Sequence, residues 1–70
     1  MDNIGQRAVI AIEDMARKNG RKVSKEYQSL DITATVFYAW KRKNFSPSAY
    51  YLSKMVLAGY DVPYILTGVK

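Results

Sequence analysis

Apolar residues in this 70-residue chain recur at three- and four-residue spacing, and the runs are cut at short intervals by residues that stop helices. Ile4, Ala8, Ala11, Ile12 and Met15 form the first run, with Val9 and Ile10 widening the face. Such spacing stacks side chains on one side of a helix. Asn19-Gly20 ends the run, because both residues tolerate the left-handed backbone of a helix C-terminus. Later runs end before Ser46-Pro47, at Gly59 and at Thr67-Gly68. No segment alternates with the two-residue period of a strand, and nothing repeats. The expectation is one all-α domain over 1–70, a five-helix bundle. Its helices would span about 4–19, 25–30, 34–43, 47–58 and 62–66.

Capping residues stand where these helices begin. Asp2 or Asn3 suits the first, Ser24 the second, Thr33 the third and Ser46 the fourth, with Pro47 at the first helical position. Asp61 precedes the last, and Pro63 fits its first turn. Ile32 is expected to point inward, as are Val36, Phe37 and Trp40 on the third helix. Tyr51, Leu52, Met55 and Val56 would form the inner face of the fourth. A chain this short buries only a thin core.

The chain has no cysteine and no histidine. That removes disulfides, thiolate metal sites, and the commonest general base and metal ligand. Glu13 and Asp14 are adjacent, so they diverge by about 100° on a helix and do not converge as an acid–base pair. The glycines, at 5, 20, 59 and 68, sit near helix ends and form no phosphate loop. Ser24 beside Lys25 already has a capping role. The expectation is a non-enzyme without cofactor or metal. No apolar run approaches the roughly 20 residues of a membrane span. The Met1-Asp2-Asn3 start lacks the basic-then-apolar pattern of a secretory signal, so a cytoplasmic protein is expected.

Charge is distributed unevenly. Between Arg17 and Lys43 lie Arg17, Lys18, Arg21, Lys22, Lys25, Lys41, Arg42 and Lys43, opposed only by Glu26 and Asp31, a net +6. The remainder carries −1, against a total of +5. Basic residues gathered this way attract phosphates through counterion release. A solvated basic surface, or attraction to an acidic membrane, are the alternatives.

The expected helix 34–43 has two faces. Opposite the apolar stripe lie Thr33, Ala34 and Thr35, then Tyr38 and Ala39, then Arg42. Small side chains at the start allow close approach to base edges. Methyls of Thr and Ala can contact thymine methyls, hydroxyls of Thr35 and Tyr38 can hydrogen-bond, and Arg42 can fork onto guanine or reach the backbone. An ordinary amphipathic helix with a mixed outer face is the alternative. Lys41, Arg42 and Lys43 also suit the negative end of the helix dipole. Lys25, at the start of its helix, makes sense beside a phosphate.

Leu30-Asp31-Ile32, then Phe37, Trp40 and Pro47, resembles the helix-turn-helix of phage Cro and CI repressors and their bacterial relatives. The ending Gly59-Tyr60-Asp61-Val62-Pro63-Tyr64-Ile65-Leu66-Thr67-Gly68 is similar to the last helix of such domains. The resemblance covers about residues 22–68 and implies a five-helix lambda-repressor-like bundle that binds a two-fold operator as a homodimer. It places Thr33, Ala34, Thr35, Tyr38 and Arg42 toward bases, and Ser24 and Lys25 near the DNA backbone. Lys41 and Lys43 match no base-reading position and are assigned to phosphates. The sequence departs from the pattern at Tyr27, where the family has a small residue between the two motif helices. Either the helices splay or the first is shifted by a residue. Asp31 and Lys43 stand where glycines are usual.

The leading expectation is a sequence-specific transcriptional regulator of phage or prophage type, Cro-like because the chain stops where the DNA-binding domain ends. Tyr60, Tyr64, Ile65 and Val69 are the exposed-looking apolar candidates for a dimer surface. Six tyrosines also suit a protein-interaction module, repressor-binding or antirepressor-like, since tyrosine is enriched in interfaces. Excisionase-like architectural DNA binding is a further alternative, as is a DNA-binding fragment of a longer repressor.

Overall fold

The computed structural model describes residues 3–42 and 45–69. Five helices follow in order: α1 Ile4–Lys18, α2 Val23–Ser29, α3 Ala34–Arg42, α4 Ala49–Leu57 and α5 Val62–Thr67. Among the described residues there is no strand. Asn3 caps α1, its side chain accepting from the Gln6 amide at 2.8 Å. Asp2 lies outside the described residues. Gly20, at φ 67°, turns the chain after α1. Asp61 caps α5 by accepting from the Tyr64 amide at 3.1 Å, and Gly68 closes it in the left-handed conformation.

Two expected caps do not form. α2 starts at Val23, with Lys22 at the cap position, so Ser24 lies within the first turn. Its start is thus two residues earlier than the serine suggested. α4 starts at Ala49 after Ser48, leaving Ser46 and Pro47 in the preceding irregular segment, where Pro47 is buried.

α1 packs against α2, α3 and α5, and α4 packs against α5. The core gathers Ala8, Val9 and Ile12 of α1 with Tyr27, Leu30, Ile32, Phe37, Trp40, Met55, Tyr60, Val62 and Ile65. Ile10 and Val56, both expected inside, are about half exposed. Each lies one residue beyond a buried neighbour, Val9 and Met55, and so falls to the rim of its helix face. Arg7 joins the chain's two ends: its Nε donates to the Ile65 carbonyl at 2.8 Å and its Nη2 to that of Leu66 at 3.3 Å. These carbonyls lie in the last turn of α5, where the helix leaves acceptors unpaired.

Gly5 explains itself in three dimensions. A Cβ there would collide with the Phe45 carbonyl oxygen and stand 3.2 Å from that of Trp40. α1 therefore approaches the chain leaving α3 closely enough that only glycine fits.

Candidate nucleic-acid interface

The turn between α2 and α3 sets the direction of α3. Asp31 is the one described non-glycine residue with positive φ, at 62°. Short polar side chains bear this conformation better than most. The following Ile32 is 2 % exposed and anchors the turn in the core. Thr33 then caps α3, its Oγ1 accepting from the Val36 amide at 3.2 Å.

α2 and α3 meet through aromatic rings. Tyr27 and Phe37 stack with centroids 4.6 Å apart and planes inclined by 24°. Both are buried. The bulky Tyr27 is thus accommodated as a flat spacer, and α2 begins early enough to bring it to the crossing.

With Phe37 and Trp40 held inside, Thr33, Ala34, Thr35, Tyr38 and Arg42 are all exposed, as expected. Ala39 is half-buried between them. The Arg42 guanidinium lies over the Tyr38 ring, 5.5 Å from its centroid. Tyr38 in turn meets Phe37 edge-on at 5.6 Å. A rigid inner ring thus supports an outer ring, which supports the cation. Thr35, Tyr38, Ala39, Arg42 and Phe45 line an open depression of about 340 Å³. A second, of about 390 Å³, lies at the turn between Gln28, Asp31, Ile32, Thr33 and Ala34.

The residues expected to meet phosphates separate. Lys25 is exposed and Ser24 half-buried in the first turn of α2. Among the described residues, neither Lys22 nor Lys25 has an acidic partner, so both cations face solvent. Lys41 instead reaches α1, its Nζ 3.5 Å from Oε2 of Glu13. That contact is partly exposed and easily exchanged. Lys43 lies outside the described residues.

Asp31 places a negative charge beside this surface, and α4 neutralises it. Its Oδ2 accepts from Lys54 Nζ and from the Tyr50 hydroxyl, each at 3.2 Å. The Lys54 hydrogen bond, then that of Tyr50, lowers the Asp31 pKa. The same pairing raises that of Lys54.

Of the expected pairing residues, Tyr64 is half-buried and Val69 is 72 % exposed. Tyr60 and Ile65 are buried, at 7 % and 0 % exposure, and do not form a surface. Tyr60 is drawn in by a hydrogen bond to Glu26, and Ile65 faces the core that α5 closes. Phe45 and Gln28 line the depressions without having been singled out in the sequence. Phe45 belongs to no periodic run, and Gln28 is one polar residue among several on a short helix.

Among the described residues no group of acidic side chains could hold a metal ion, and no helix is long and apolar enough to cross a membrane. No protein-family model, no curated protein and no solved structure matches the chain.

Proposed function

We propose that this chain is a sequence-specific double-stranded DNA-binding regulator of the Cro and CI repressor type. α2 and α3 form its helix-turn-helix, and α3 enters the major groove. The observation that carries this reading is the exposed row Thr33, Ala34, Thr35, Tyr38 and Arg42, on a helix whose opposite side is anchored by Phe37 and Trp40. Small residues lead, and a supported arginine follows, as groove entry requires. Exposed Lys22 and Lys25 at the start of α2 would meet phosphates. A homodimer on a two-fold site follows from the repressor reading. Pairing would draw on Tyr64 and Val69, with Leu57 and Leu66 as further exposed apolar side chains.

Selection of bound duplexes from a random pool at physiological salt tests this. A two-fold symmetric site is expected. On it, Arg42→Ala should cost about 1–3 kcal/mol per half-site and relax the preference at one position. An unchanged affinity for both Arg42→Ala and Tyr38→Ala would reject α3 as the reading helix.

A second reading, a protein-binding module such as an antirepressor, draws on exposed Val56, Leu57, Leu66 and Val69, of which Leu57 is 86 % exposed. Duplex affinity that falls steeply with salt favours the first reading; absence of duplex binding favours the second.

A further inference from the structure

Phe45 follows α3, has no place in its helical pattern, and is 60 % exposed. It walls the depression shared by Thr35, Tyr38, Ala39 and Arg42, continuous with the α3 face. The Phe45 and Tyr38 rings and the Ala39 methyl supply hydrocarbon, at the end of the most basic part of the chain. The Arg42 guanidinium, seated over Tyr38, stands at the same hollow. Duplex DNA offers one apolar group on its major-groove edges, the thymine 5-methyl, and a guanine edge suits an arginine fork. We propose that the hollow receives a thymine methyl beside a guanine contacted by Arg42, and that Phe45 determines specificity for that thymine. The position of Phe45 is held from behind, since its carbonyl abuts Gly5 of α1.

This proposal rests on the DNA-binding reading, and the test separates the two. The full chain is assayed on the duplex recovered from a random pool about 20 base pairs long, enough for two half-sites. Each thymine is replaced in turn by deoxyuridine, which removes only the methyl. One thymine per half-site, next to a guanine, should lose about fourfold in affinity, the worth of one buried methyl. Phe45→Ala, which alters both protomers, should bind the thymine duplex as weakly as the wild type binds the duplex with uracil in both half-sites, and lose little more when uracil is introduced. Phe45 is exposed, so this variant should keep the wild-type unfolding midpoint. Losses below about twofold at every thymine, or full thymine–uracil discrimination by Phe45→Ala, would overturn the proposal while leaving DNA binding in place. Recovery of no duplex would overturn both.

Discussion

The Tyr60 hydroxyl donates a 2.7 Å hydrogen bond to Oε2 of Glu26, 34 residues earlier in the chain. Both side chains are buried. Glu26 lies on α2, and Tyr60 in the connection between α4 and α5, so the bond ties one helix of the candidate interface to the far end of the bundle. Arg21 Nε lies 3.5 Å from the other oxygen, Oε1, which makes no hydrogen bond among the described residues. Arg21 thus contributes charge from the surface, and Tyr60 contributes the directed contact.

Tyr60→Phe should therefore destabilise the fold by about 1–3 kcal/mol, because it leaves a second buried acceptor without a donor. Urea unfolding measures the loss. Little change would mean that water or Arg21 replaces the hydroxyl. A double-mutant cycle with Glu26→Ala, which removes the acceptor, should be clearly non-additive, since each change removes the same bond.

The same contact gives a pH signature. Burial, then the hydrogen bond and charge of Glu26, raise the Tyr60 pKa far above its ordinary value of 10.0. Above pH 10 the unfolded chain gives up this proton while the folded chain keeps it. The stabilisation is complete below pH 10 and declines as pH rises further. Wild type and Tyr60→Phe should therefore converge in stability between about pH 10 and 11.5. A constant gap across that range would contradict the assigned burial of the hydroxyl.

Asp31 separates backbone from side-chain effects. Its positive φ should make Asp31→Ala less stable than Asp31→Gly by about 1–2 kcal/mol, the cost of placing a Cβ in that region. Equal stabilities would place the turn in another conformation. Its lowered pKa adds stability above the ordinary carboxyl value of 3.8 that is lost as pH falls through the lowered one. The group is solvent-exposed, so added salt should weaken that contribution.

Gly5→Ala sets helix propensity against packing. Propensity favours alanine by about 1 kcal/mol. The new methyl would meet the Phe45 and Trp40 carbonyls, which belong to backbone and yield poorly. A net loss of about 1–3 kcal/mol is expected in thermal or urea unfolding. Trp40 fluorescence should shift as the segment after α3 moves. A stabilised Gly5→Ala would show that the two segments stand further apart.

The sequence by itself determined the five helices, most of their ends, and the inward direction of Ile32, Phe37, Trp40 and Met55. These depend on local causes: three- and four-residue spacing, the Asn3, Thr33 and Asp61 caps, and the left-handed tolerance of Gly20, Asp31 and Gly68. The exposed row on α3 was legible for the same reason, since fixing one face of a helix fixes the other. Tertiary structure decided what depends on partners distant in the chain. Ser24 and Ser46 were adequate local caps, but packing of Tyr27 on Phe37 and burial of Pro47 set the helix starts elsewhere. Tyr60 and Ile65 resemble surface apolar residues until Glu26 draws one inward and the core takes the other. Lys41 turned to Glu13, and Phe45 came to stand beside Tyr38 and Arg42, because α1 crosses behind α3 and fixes the chain that leaves it. Helical periodicity is a property of neighbours within about one turn, whereas these placements are set by contacts between separate helices.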